Sequence, residues 1–532
     1  MISKLSGKFK ESKLIRFYPL ILLAVFDLVL FWYLNRNIER MINSDDASEL
    51  ILGRLLAQEN SIVSTNWFYS TEVSILNTNL VYSAMFHFLN NWHVIRMASI
   101  FLLHLILFGS VWYLCAKAGI RKYFPFIAFP IMVPFSKAYC HMVIRSSFYI
   151  PYVVLTLIGA AFLFAYVREN KKQILFLILS CVLAFFSCTS GPRQVILLYL
   201  PMVICSVLFY VLLRFFPDDR DPHRLYRFIN ITIPTFLSAC AGVVFNSIVI
   251  QPRFFSFSWE LSYTSFNLNN LMEVINGLLI DFGYRPEALS LESTVMNVIS
   301  HFIFFLSIAA IAYAIINRKT VSGEYYLFTM LYVCQLTGFA LLYCFTSMVH
   351  DPRYSLPIIV FAFFVIAFFL HETKWAFSGK IPLHFIYIIS LLIESVFSMV
   401  YEQRLIYRNW VFDERMEIVD LLAEQGYTKG YASFWEGNIM TELSNGELEI
   451  WHWNDPETPN LKNMKELHKW LQYTSHLETP PDGKVFLLLS DTLHEQFPWK
   501  ENLSEEYLLH CDEIYVYGFE SYDQMIRVFE KG

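Results

Sequence analysis

The sequence predicts a polytopic α-helical membrane protein of about eleven transmembrane helices, followed by a small extracytoplasmic α/β domain. Three observations carry this. Of 532 residues, 56% are hydrophobic and 16% charged, whereas a soluble globular chain carries roughly 25% charged residues. Apolar runs of about 18–22 residues, long enough to cross a bilayer, recur along the first three-quarters of the chain. Past residue 400 the sequence turns polar and breaks into short helix-like and strand-like stretches.

The apolar runs lie at 17–34, 94–116, 120–136, 148–167, 173–189, 194–214, 228–250, 295–317, 326–345, 355–371 and 381–400. The first follows "MISKLSGKFKESKLIR", whose basic residues resemble a signal-peptide start. No small-x-small cleavage pattern follows, so the run reads as an uncleaved first span. The third run, "YFPFIAFPIMVPF", holds Pro125, Pro130 and Pro134, which predict a broken or kinked helix. Short Lys/Arg-rich loops at 116–122, 168–172, 214–227, 317–319 and 371–380 alternate with loops poorer in basic residues. The positive-inside rule puts the basic loops and the N-terminus in the cytoplasm. It puts the long loops 35–93 and 251–294, and everything past 400, on the outer side.

The chain thus divides into a membrane domain, 1–400, and an extracytoplasmic domain, 401–532. In the second, 413–426 and 461–475 read as helices, and 446–453, 484–490 and 513–518 as strands, with Gly426 and Gly430 marking turns. No internal repeat is visible.

Composition also excludes. The net charge is −6 and no basic stripe is present, so nucleic acid is not a partner. Of nine cysteines only Cys511 falls in the polar C-terminal part, so no disulfide framework forms there. There is no CxxC pair, P-loop, GxGxxG turn or GxSxG elbow. The cytoplasmic loops leave no room for a nucleotide-binding domain. A group-transfer reaction here has to draw on a donor already in the membrane.

The ionisable residues on the predicted outer side suggest what that donor is. Asp45 and Asp46 open the first outer loop in "INSDDASELI". Arg145, with His141 nearby, sits in the second. Arg193 stands in "SGPRQ", directly before a span, and His350, Asp351, Arg353 and Tyr354 form "HDPRY", again before a span. Charged groups at membrane depth are costly, and arginine forks bind phosphate oxygens bidentately. The pattern is a phosphate clamp beside a carboxylate, suited to a phosphoryl-linked lipid donor and an acceptor hydroxyl. Each residue also has a plainer role. Ser44 with the two aspartates makes an ordinary helix cap. The arginines reach headgroups, Asp351 starts a turn before Pro352, Tyr354 anchors at the interface, and His141 is a packed histidine. The acidic outer loops offer oxygen ligands to a divalent cation, a set that two aspartates do not complete.

These motifs resemble the GT-C superfamily of polytopic glycosyltransferases, which includes protein O-mannosyltransferases and the bacterial aminoarabinose-to-lipid-A transferases. "SDDASELILGRLLAQEN" resembles the superfamily's acidic pair and amphipathic helix after the first span. "DPRYSLPIIVF" resembles its Arg-Tyr before a Leu-Pro span, and "SGPRQVILLYLP" a mid-chain Gly-x-Arg feature. "GYASFWEGNIMTELSNGELEIW" is similar to the outer domain of uncharacterised bacterial members. Where many relatives carry a Lys-Pro-Pro-like stretch, this chain has Asn77, Thr78 and Asn79. The resemblance implies transfer of a sugar, usually with inversion, from a polyprenyl-phosphate donor to a wall polymer, glycolipid or protein outside the cytoplasm. Asp45 or Asp46 would be the base, and Arg353, Arg193 and Arg145 would hold the donor phosphate.

Two other readings stay open. A flippase for a lipid-linked glycan also gathers arginines, but lines a path through the bundle with charge. Here mid-span acids are few, Asp27 and Glu394 being the exceptions. An inactive scaffold would keep the C-terminal domain as a binding module.

Overall fold

Apolar runs fold as helices in the computed structural model, which describes residues 13–145, 149–169, 171–215, 222–255, 262–286, 290–348, 351–373, 382–407, 411–453 and 467–530. Among the described residues, eight helices are long and apolar enough to cross a membrane. They run from Phe17–Met41 to Leu383–Arg404. Two further apolar helices, Gln173–Cys188 and Val195–Val211, are shorter. At 1.5 Å per residue a 16-residue helix spans only about 24 Å, under the ~30 Å of a hydrocarbon core. The chain is a multi-pass membrane protein.

The third apolar run breaks, as its prolines predict. The helix Phe124–Met132 ends at Val133, whose ψ of 140° is the extended state that the residue before a proline prefers. Lys137–Val143 then starts in a new direction, Ser136 accepting a hydrogen bond from the Tyr139 N–H. The segments Arg121–Met132 and Lys137–Val143 are bent by 99°.

The residues group into two compact units. One is drawn from Met1–Tyr33, Leu102–Ser247 and Glu260–Glu402, the other from Leu34–Phe101, Ile248–Trp259 and Gln403–Gly532. At the centre of the first lies Leu356–Glu372, every residue of which from Leu356 to Leu370 is buried. A helix apolar on all sides is a core helix. Phe364 and Phe368 stack on Phe328 and Tyr325 at 4.9 and 5.3 Å, nearly coplanar.

The second unit is built on a five-stranded sheet of order β2-β1-β3-β5-β4. The strands are β1 (Lys429–Ala432), β2 (Glu449–His452), β3 (Val485–Ser490), β4 (Leu508–Cys511) and β5 (Ile514–Phe519). β2, β1 and β3 are parallel, whereas β5 runs antiparallel to both β3 and β4. The continuous apolar run of β3 marks a strand covered on both faces. Val485, Leu487 and Leu489 pack with Met525, Val528 and Phe529 on one side. Phe486 and Leu488 pack with Ile418, Leu422 and Met440 on the other.

Two local expectations need correcting. Gly430 is inside β1, paired with Phe486 of β3, rather than in a turn; it is a glycine because a Cβ there would strike the Phe486 ring. The helix expected over 461–475 is absent from 467–474, its earlier part lying outside the described residues. Those residues spend their backbone groups on another segment instead. The Leu471 N–H donates to the Phe68 carbonyl at 2.8 Å, and the Phe68 N–H to the Gln472 carbonyl at 2.9 Å. Tertiary pairing outweighs local helix propensity there.

Candidate active site

The acid pair lies at the start of the Ser44–Glu59 helix in the second unit. The cap is Asn43, not Ser44. Asn43 accepts from the Asp46 N–H at 2.8 Å, and the Asp46 carboxylate accepts the Asn43 N–H at 3.4 Å, a reciprocal capping box. The Ser44 hydroxyl turns to the Phe434 carbonyl. Asp46 is buried, while Asp45 is half-buried. Gly53 lets the Asn79–Phe86 helix approach, since a Cβ at 53 would lie 2.5 Å from that of Tyr82.

Two acids and a base join this helix without having stood out in the sequence. Arg96 is 1% exposed and grips Glu442 with a fork, Nε to Oε1 at 2.5 Å and Nη2 to Oε2 at 2.6 Å. Its Nη2 also donates to the Asp46 carbonyl at 2.9 Å. Glu49, one turn beyond the acid pair, is buried, and burial pushes its carboxyl well above the ordinary range, a hydrogen bond to Thr78 opposing. Thr78 belongs to the stretch that departs from the Lys-Pro-Pro-like pattern. The available signal for Arg96 was a charge two residues into an apolar run. Glu49 gave none, since a glutamate near the start of a helix is ordinary.

Glu49 yields a prediction. A carboxyl whose folded pKa is raised adds stability below its unfolded pKa and loses it as pH rises through the folded value. Glutamine stays neutral throughout. Glu49→Gln is therefore expected to raise the unfolding midpoint of the purified protein by about 2–4 °C at pH 8, worth ~1 kcal/mol in a unit of this size. The gain should vanish near pH 4. A lower midpoint at pH 8 would show that the ionised carboxylate is what the fold uses.

The arginines are gathered in the first unit. Asp351 caps the turn Pro352–Ser355 by accepting the Arg353 N–H at 2.9 Å. The same carboxylate takes the Arg353 side chain, Nε at 3.0 Å from both oxygens and Nη2 at 2.6 Å from Oδ2. Burial alone would raise the Asp351 carboxyl, but these hydrogen bonds outweigh it and hold it below the ordinary range. Arg353 lies 5.4 Å from the centre of the Tyr149 ring. Arg193 lies 5.8 Å from that ring, 4.6 Å from Tyr152 and 5.3 Å from Tyr354. Tyr149 and Tyr354 are 6.2 Å apart. Arg145 meets His141, Nη2 to Nε2 at 2.8 Å, and His141 also feels the charges of Arg353 and Asp351. Arg193 and Arg353, from two separate loops, thus stand against one set of tyrosine rings, which satisfies their flat faces by cation–π contact, while Arg145 holds to His141. His350 lies outside the described residues.

Behind the turn, Asp281 is fully buried at the end of the Leu268–Asp281 helix and accepts the Ser355 hydroxyl. Burial lifts its carboxyl well above the ordinary range. The loop that carries Arg353 is therefore pinned from below and continues into the core helix Leu356–Glu372. Among the described residues no group of three or more His, Cys, Asp or Glu side chains is set to hold a metal ion.

No family model and no curated protein matches the chain. Its fold is the GT-C fold. The likeness that carries this is to ArnT from Cupriavidus metallidurans, in crystal structures bound to undecaprenyl phosphate and in the apo state. The TM-scores are 0.57 and 0.56 at 10% identity, over 94% of this chain and 97% of that one.

Proposed function

We propose that this protein is a membrane glycosyltransferase that moves a sugar from a polyprenyl-phosphate donor to an acceptor hydroxyl outside the cytoplasm. The observation that carries the reading is the convergence of Arg193 and Arg353 on Tyr149, Tyr152 and Tyr354, with Arg145 on His141, in a fold shared with an undecaprenyl-phosphate-binding protein. In this reading the bond between the sugar's anomeric carbon and the phosphate oxygen breaks as the acceptor oxygen bonds to that carbon. The polyprenyl phosphate leaves with both electrons, and the arginines stabilise its added negative charge. A carboxylate takes the acceptor proton. Asp45 fits that role better than Asp46, whose carboxylate is buried and committed to the cap. The described acids form no ligand set for a divalent cation. The N-terminus lies in the cytoplasm and the C-terminal domain outside.

A deletion strain complemented with wild type, Asp45→Asn or Asp46→Asn at equal protein levels tests this. Lipid-phosphate sugars and surface glycans are compared by mass spectrometry. The deletion and Asp45→Asn should accumulate one polyprenyl-phosphate sugar and lose one surface sugar. Full restoration by both Asn variants would reduce the acids to helix caps and favour a flippase.

A further inference from the structure

The second unit holds a cleft of about 370 Å³, within the range of small-ligand sites. It lies between the C-terminal part of the Ser44–Glu59 helix, which contributes Ile51, Arg54 and Gln58, and the edge of the sheet around β2. Its charges balance. Arg54 and Lys429 face Glu447 and Glu449, and most are already engaged. Lys429 is paired with Asp482, Glu449 with His476 at 3.0 Å, and Arg54 donates to the Gly446 carbonyl at 3.0 Å. A nucleotide or an anionic headgroup would need uncommitted positive charge. A lipid tail would need an apolar wall, whereas amides, hydroxyls and a few aliphatic carbons are interleaved here.

Trp67 marks a place for a ligand oxygen. It is fully buried, it lines the cleft, and its indole N–H has no hydrogen-bond partner among the described residues. Buried donors are nearly always satisfied, so an orphan beside a cavity points to an acceptor brought from outside. The Tyr473 ring stands edge-on to Trp67 at 5.3 Å. The two are held by the short pairing of 66–68 with 471–474, in which Leu471 sits at φ 48°, a costly conformation for a bulky residue.

From this lining we infer that the cleft binds a short neutral saccharide, the glycan end of the acceptor; the second half of this inference rests on the transferase reading. A pyranose presents vicinal hydroxyls to planar groups such as Gln58 and Asn438, and C–H faces to the aromatic and aliphatic lining.

The test uses purified full-length protein in detergent micelles, with maltotriose, cellotriose, chitotriose and mannotriose as neutral probes and sialyllactose as an anionic one. Binding is read by calorimetry and tryptophan fluorescence. At least one neutral trisaccharide should bind saturably, and Trp67→Phe and Gln58→Ala should each weaken it at least tenfold. Asp45→Asn should bind it as wild type does. The inference is overturned if no neutral probe binds, if sialyllactose binds more tightly, or if exposed Gln58 and buried Trp67 can both be replaced without effect. Transfer assays separate the two halves. If Gln58→Ala loses sugar binding but keeps the wild-type KM for acceptor, the acceptor assignment falls. If Asp45→Asn still transfers while sugar binding stands, the proposed base falls and the cleft remains.

Discussion

Replacing Arg96 with methionine is expected to destabilise the second unit by about 3–5 kcal/mol, the usual cost of leaving a buried charge without its partner. Arg96 and Glu442 are 1% and 5% exposed, so solvent screens neither. The guanidinium joins four segments. It forks onto Glu442 in Phe434–Leu443 and donates to the Asp46 carbonyl. It also reaches the Tyr82 hydroxyl at 3.3 Å from its own helix, Trp92–Lys117. Burial already lifts the Glu442 carboxyl, with Arg96 opposing. Once Arg96 is gone, Glu442 takes up a proton in the folded state. Its stability contribution is then present at acid pH and lost as pH rises, so the defect should be largest near pH 8 and shrink towards pH 4. Arg96→Met/Glu442→Leu should recover most of the loss. Thermal unfolding of wild type and the two variants across that pH range checks all of this, and a pH-independent defect would assign the cost to packing alone.

What the sequence made legible follows from the strength of each local signal. Spans were legible because crossing lipid forces a long apolar stretch. Pro134 announced the break at Val133 for the same local reason. The strands β1, "KGYA", and β4, "LLHC", were not legible, being four residues long with no alternation. Arg353 and Asp351 could be read as a pair because a proline turn holds them two positions apart. The rings that gather the arginines could not, since Tyr149 and Tyr152 are ordinary interfacial aromatics until the fold brings Arg193 against them. Arg96 and Glu442 are 346 positions apart, and only the folded unit joins them.

The choice between a phosphate clamp and headgroup anchors turns on Arg353. Arg353→Ala is expected to lower transfer from a polyprenyl-phosphate sugar about 10²–10³-fold, the scale of losing one preorganised donor at a developing anion. Arg353→Lys keeps the charge and loses the planar fork, so it should recover only part of the rate. Asp351→Asn separates binding from positioning. The carboxylate occupies the Nε–Nη2 edge of Arg353 and caps its turn. Weakening it frees that edge for phosphate but loosens the loop, so KM for the donor should fall while kcat also falls. Because Asp351 is held below the ordinary carboxylate range, its hold on Arg353 is present above the unfolded pKa and lost only as pH falls through the lowered value. Wild type acidified that far should then drift towards the Asp351→Asn behaviour. Undecaprenyl phosphate binding, followed by native mass spectrometry on the purified variants, gives a readout that does not depend on turnover. If Arg353→Ala binds undecaprenyl phosphate like wild type and only its unfolding midpoint drops, Arg353 is a structural anchor for the turn, and the donor phosphate has to be sought nearer Arg193 and Arg145.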